Sequence, residues 1–274
     1  MGSGIAEIAA RAGYRTLVSE LDGDLLNQGL RRIEASLAKA ISRGKITPQE
    51  RDEALARIQG TTNLEDFAPC DLIVEAITED LEAKKRLFAT LDDLCPPHTI
   101  LASNTSCLSI TEMAAVTRRG DKVLGLHFFN PAPVMKLLEL VRTILTSDET
   151  VAVGRRFGES LGKRVIVAKE MPGFIISRLL IPYLLNAIRV FENGLATKED
   201  IDQGMVLGCN HPMGPLTLAD FIGLDTIYKI ADMMFDEFKD PIYAAPPLLR
   251  RMVLAGRLGQ KTGQGFYDYR VPVS

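Results

Sequence analysis

Apolar and polar positions follow two different rhythms along the chain. Through residue 168, short apolar runs alternate with stretches of helical period. Residues 14–20 (YRTLVSE), 71–77 (DLIVEAI), 99–103 (TILAS), 122–129 (KVLGLHFF), 136–141 (KLLELV) and 164–168 (RVIVA) read as strands. Between them, Leu26, Leu30, Ile33, Leu37 and Ile41 recur at three- and four-residue steps, the stripe of one helix face. Thr47-Pro48-Gln49-Glu50 joins a capping box to a proline at the first helical position, and 109–112 and 146–149 read as two further boxes. Strands alternating with helices predict an α/β domain with a doubly wound, mostly parallel sheet over residues 1–168. From residue 172 the strand signals stop. Helical patterns over 174–192, 197–207, 216–221, 226–238 and 247–255 predict an all-α domain over 172–274.

Composition narrows the class. The 274 residues carry 32 Lys and Arg against 35 Asp and Glu, a formal charge of −3, with 46% apolar and 24% charged residues. No basic footprint for nucleic acid exists, and no apolar stretch is long enough to span a bilayer. The amino-terminal residues lack the layout of a secretory signal. The four cysteines (70, 95, 107 and 209) form no CxxC pair, and the three histidines (98, 127 and 211) show no metal-ligand spacing. A cytoplasmic, disulfide-free chain with no metal is the expectation.

Chemistry concentrates at three places. The chain opens as a helix (Ile5, Ile8, Ala9, Ala12) stopped by Gly13, followed by a strand and then acidic Glu20. Gly2 and Glu20 are separated like the last glycine of a dinucleotide-binding turn and its ribose-binding carboxylate. The first strand and first two glycines of such a unit are absent. Next, Ser103-Asn104-Thr105-Ser106 leaves the carboxyl end of a strand, the end at which open α/β sheets bind ligands. Finally, if 122–129 and 136–141 fold back about the prolines between them, His127 faces Glu139. A carboxylate fixes the tautomer of a facing imidazole and favours its protonation, as a general base requires. A structural histidine in an ion pair would show the same residues.

The segment SNTSCLSIT…GLHFFNPAPVMKLLELV resembles the signature of the L-3-hydroxyacyl-CoA dehydrogenase family. DLIVEAITED (71–80), PGFIISRLL (172–180), KEDID (198–202), HPMGP (211–215), IGLDT (222–226) and GRLGQKTGQGFYDY (256–269) extend the likeness over essentially the whole chain, in order. The resemblance implies a Rossmann-like domain followed by a helical one, with NAD as cofactor. Its implied reaction is the reversible oxidation of an (S)-3-hydroxyacyl-CoA. His127 would be the general base, Glu139 its orienting partner and Ser106 a hydrogen-bond partner of the C3 oxygen. Gly2, Glu20, Ala76, Glu79, Lys84 and Asn104 would serve the cofactor, and Ser36 and Arg43 the CoA. The helical domain would carry a homodimer.

Two departures stand out. Ser177 replaces the family's usual asparagine at a substrate-binding position, and Cys107 replaces the second of a serine pair. The family's opening strand and Gly-x-Gly are also missing, which reads as an amino-terminal truncation. Two alternatives therefore stay open: a cofactor-deficient acyl-CoA-binding or structural dimer, and a related dehydrogenase acting on a non-CoA hydroxy acid.

Overall fold

The computed structural model describes residues 1–270; the last four residues of the expected second domain lie outside the described residues. Contacts divide the chain into two units, Met1–Met171 and Pro172 onward.

In the first unit the order is α1 (Gly2–Arg11), β1 (Thr16–Ser19), α2 (Gly23–Ser42), α3 (Pro48–Ala56), β2 (Ile58–Thr61), β3 (Leu72–Glu75), α4 (Leu81–Leu94), β4 (Ile100–Ser103), α5 (Ile110–Ala115), β5 (Val123–Phe128), β6 (Leu137–Arg142), α6 (Asp148–Ser160) and β7 (Arg164–Lys169). This is the expected Rossmann-like α/β winding, but the sheet is in two pieces. β1 pairs with β2 in parallel, and β3-β4-β5-β6-β7 form a five-stranded sheet in which only β5 and β6 are antiparallel. The division falls where the absent first strand was expected. α1 packs against both pieces. Ile5 and Ile8 join Ile100, Leu124 and Leu126, whereas Ala6 joins Ile33 and Leu37 with Val18 and Ile58 packed against them.

Helix starts follow their capping chemistry, with one correction. Thr47 and Glu50 form the reciprocal box. Asp22 caps α2 through Leu25 N–H at 2.8 Å, and Asp80 caps α4 through Ala83 N–H at 2.7 Å. The cap of α6 is Ser147, not Thr146: Ser147 accepts Thr150 N–H, whereas the Thr146 hydroxyl is drawn away to the Val123 carbonyl at 2.6 Å. β2 escapes the sequence pattern because Ile58-Gln59-Gly60-Thr61 neither alternates nor runs apolar. Its pairing with β1 makes it a strand, and Gly60 lies where a Cβ would come within 3.0 Å of Leu26.

The second unit is helical, with α7 (Ile176–Glu192), α8 (Lys198–Cys209), α9 (Pro215–Ile222), α10 (Leu224–Phe238) and α11 (Pro247–Leu254), and no extended strand among the described residues. α7 begins two residues later than the pattern suggests, because Gly173 and Phe174 take left-handed backbone conformations (φ 80° and 45°). Two buried aspartates tie the unit together. Asp202 accepts the N–H groups of Leu216 and Thr217 at the start of α9, and Asp220 accepts those of Phe266 and Tyr267. Burial pushes the Asp220 carboxyl above the usual range, against the pull of these bonds. Among the described residues no helix is long and apolar enough to cross a membrane.

β5 is buried at every position, and Gly125 within it is tightly enclosed. A Cβ there would lie 2.6 Å from Ile110 Cδ1 and 2.9 Å from Val141 Cβ. Gly125→Ala is expected to lower the free energy of unfolding by about 1–3 kcal/mol through overpacking, measured as a shift of the urea midpoint.

Candidate active site

β5 and β6 are apolar strands enclosed on both faces, so a polar side chain on either needs a partner. Each carries one residue that meets this need in the other. The antiparallel register places His127 opposite Glu139, and His127 Nδ1 lies 2.7 Å from Glu139 Oε2. Glu139 is fully buried and His127 nearly so. A carboxylate only accepts hydrogen bonds, so Nδ1 carries the hydrogen, and in the neutral ring Nε2 is the basic nitrogen. The Phe129 ring lies 4.6 Å from the imidazole, centroid to centroid. The loop from β5 to β6 is held from below by Lys163, which donates to the carbonyls of Ala132 and Met135. Burial holds the Lys163 ammonium below its ordinary pKa.

The Ser/Thr loop joins this strand. Asn104 N–H donates to the Glu75 carbonyl at 2.8 Å. The Asn104 side-chain oxygen accepts Phe128 N–H at 2.9 Å, beside His127. Thr105 and Ser106 are held by Glu79, whose Oε1 accepts the Thr105 hydroxyl at 2.6 Å and Ser106 N–H at 3.1 Å. Lys84 is not an open cation. It is 1% exposed and lies 2.6 Å from Glu75 and 3.3 Å from Glu79. Cys107 is buried within the same loop.

A third group surrounds the start of α1. That helix has no side-chain cap, so the positive end of its dipole is not offset by a capping side chain. Gly2 sits beside Ala76, where a Cβ would come to 3.9 Å of Ala76 Cβ. Glu20 is exposed just past the carboxyl end of β1. Of the remaining expected residues, half-buried Ser36 lies on α2 and exposed Arg43 at its C-cap, and Ser177 lies in the first turn of α7 in the second unit.

Residues 1–171 match the 3-hydroxyacyl-CoA dehydrogenase NAD binding domain, and residues 173–269 match the C-terminal domain of the same family. The chain belongs to the 3-hydroxyacyl-CoA dehydrogenase family. It is 51% identical over 271 residues to a 3-hydroxybutyryl-CoA dehydrogenase of Mycobacterium tuberculosis, covering 98% of this chain and 95% of that one. It is 42% identical over 277 residues to the human mitochondrial hydroxyacyl-coenzyme A dehydrogenase, covering 98% and 88%. The crystal structure of an (S)-3-hydroxybutyryl-CoA dehydrogenase from Ralstonia eutropha superposes with a TM-score of 0.96 at 44% identity, covering 99% and 96%.

NAD is the cofactor of this family's first domain, and the residues present fit it. The uncapped start of α1 suits an anion such as a pyrophosphate, Gly2 adds no side chain there, and exposed Glu20 is an acid of the kind that accepts a ribose hydroxyl. Two contributors were not read from the sequence. Glu75, inside the apolar run DLIVEAI, was absorbed into a strand, although an acid at a strand's carboxyl end is a readable signal. Glu170 accepts the N–H groups of Ile110 at 2.6 Å and Thr111 at 2.9 Å, fixing the start of α5 from 59 residues away or more.

The His127–Glu139 geometry fixes a tautomer. Nitrogen-15 spectra of neutral His127 are expected to show hydrogen on Nδ1 and a bare Nε2. In Glu139→Gln both tautomers should appear, because an amide can either donate or accept.

Proposed function

We propose that the chain catalyses reversible, NAD-dependent oxidation of (S)-3-hydroxyacyl-CoA, of the 3-hydroxybutyryl-CoA type, to the 3-ketoacyl-CoA. The observation that carries this reading is the buried His127–Glu139 pair, with its 2.7 Å contact, at the carboxyl end of β5. NAD, when bound, supplies the hydride acceptor. His127 Nε2 takes the proton of the C3 hydroxyl as the hydride leaves, and Glu139 orients the ring and stabilises the imidazolium that forms. Ser106 hydrogen-bonds the C3 oxygen, where charge changes along the reaction. In reduction the same groups act in reverse, and His127 becomes the acid.

Gly2, Glu20 and Ala76 form the cofactor's anchoring end, with Glu79, Lys84 and Asn104 shaping the adjoining loop. Ser36 and Arg43 are assigned to CoA, the guanidinium suiting a phosphate. Ser177 is assigned to the acyl group, its short hydroxyl taking the place of the family's asparagine. The helical domain forms a homodimer. Four free cysteines support a reducing, cytoplasmic setting.

The deciding experiment is NADH oxidation by the purified chain with acetoacetyl-CoA. His127→Ala is expected to cost at least about 10²–10⁴-fold in kcat, and NADPH to be used far less well than NADH because Glu20 repels a 2′-phosphate. Equal rates for wild type and His127→Ala would overturn the reading.

The divided sheet supports one rival, a folded dimer that binds acyl-CoA without turnover. Its signature would be CoA binding without NADH binding, relieved by fusing a strand ending in Gly-x-Gly ahead of Met1.

A further inference from the structure

We propose that Glu75 is the positioning residue that sets the 103–108 loop, and through it Ser106. The proposal rests on the dehydrogenase reading of Ser106. Glu75 ends β3, is 3% exposed and faces Ser103 in the strand register.

Its two oxygens begin two separate lines of bonds. Oε2 accepts the Ser103 hydroxyl at 2.6 Å, and the Ser103 oxygen accepts Thr105 N–H at 3.2 Å. Oε1 accepts Ile77 N–H at 2.7 Å and lies 2.6 Å from Lys84 Nζ. Lys84 reaches on to Glu79 Oε2 at 3.3 Å, and the other Glu79 oxygen holds the Thr105 hydroxyl and Ser106 N–H. The Thr105 oxygen in turn accepts the N–H groups of Cys107 at 3.3 Å and Leu108 at 2.9 Å. One carboxylate thus governs both approaches to the loop, one through a hydroxyl and one through an ammonium.

The chemistry demands a carboxylate at this position. Three donors converge on it: a hydroxyl, a backbone N–H and an ammonium. Both oxygens of a carboxylate accept, whereas a glutamine has one accepting oxygen and one donating nitrogen. A glutamine at position 75 that keeps its oxygen on Lys84 and Ile77 turns its NH2 toward Ser103, so the serine hydroxyl must accept there instead of donating, and the charge opposite the ammonium is lost. The ammonium also sits between two carboxylates. Neutralising Glu75 leaves Glu79 as its remaining counter-charge, so Lys84 draws the Glu79 carboxylate toward itself and off Thr105 and Ser106. The displacement reaches a residue that Glu75 does not touch.

The test is a double-mutant cycle of Glu75→Gln and Ser106→Ala, read as kcat and KM for acetoacetyl-CoA reduction. Glu75→Gln is expected to lower kcat by about 10-fold or more. The double variant should fall no more than about 3-fold below the worse single variant, because a displaced Ser106 has little left to lose. Losses that multiply would overturn the proposal.

A second readout needs no turnover. Hydrogen exchange in peptides spanning 104–109 is expected to quicken about 10-fold or more in Glu75→Gln at an unchanged urea midpoint. The milder Ser103→Ala, which removes one line of bonds, should quicken the same peptides and serves if Glu75→Gln does not fold. Unchanged exchange in both would overturn the proposal. His127-independent turnover would instead sink the dehydrogenase reading, and exchange would still decide the role of Glu75 in the loop.

Discussion

A single buried contact, His127 Nδ1 to Glu139 Oε2, constrains more of the first unit than its size suggests. Both residues lie in strands whose other central side chains are apolar and enclosed. A slip of one residue in the pairing would turn one of the two groups to the opposite face and separate the pair, at a cost on the order of several kcal/mol for a buried carboxylate parted from its donor. The pair therefore selects the register that it needs. The same register sets Gly125 against Val141, where no larger residue fits. The connection from Phe128 to Leu137 is too short for a parallel crossover, so β5 and β6 run antiparallel within an otherwise parallel sheet and two side chains 12 residues apart meet.

Much of this arrangement could be read from residues, because it rests on local pattern. Apolar runs gave β3 to β7 within one or two residues, and the pairing of His127 with Glu139 followed from two strands and a proline-bounded turn. What escaped was set by distant contact. β2 is a strand because β1 lies beside it, not because Ile58-Gln59-Gly60-Thr61 prefers extension. Thr146 has the composition of a cap but spends its hydroxyl on Val123. Glu75 looked like one more strand residue, and only the fold brings Lys84 and Ser103 to its two oxygens. The family likeness assigns Lys84 to the cofactor's βα loop, whereas it lies in the first turn of α4, and its burial between two carboxylates was invisible without the topology.

The cofactor side obeys a different constraint. α1 is fastened by its apolar face, with Ile5 and Ile8 on the five-stranded piece and Ala6 on the helices beside the two-stranded one. Packing of this kind fixes where the helix start points. The uncapped first turn and exposed Glu20 are retained together although the sheet is divided between β1 and β3. A ligand that binds only the folded unit would stabilise it by mass action.

The carboxylates show how the reaction's polar groups are kept still. Glu139 orients an imidazole, Glu75 holds Ser103 and Lys84, and Glu170 closes over the N–H groups at the start of α5. The 103–108 loop is accordingly tied at its beginning by Glu75, at its middle by Glu79 and, through the helix that follows it, by Glu170. Hydrogen-bond donors aimed at developing charge accelerate a reaction only when they need no reorganisation in the transition state. A polar loop at a sheet edge would ordinarily sample many conformations, each lost at an entropic cost when substrate binds. Here that cost is met during folding, by carboxylates that hold the Ser106 backbone N–H and the His127 ring in place.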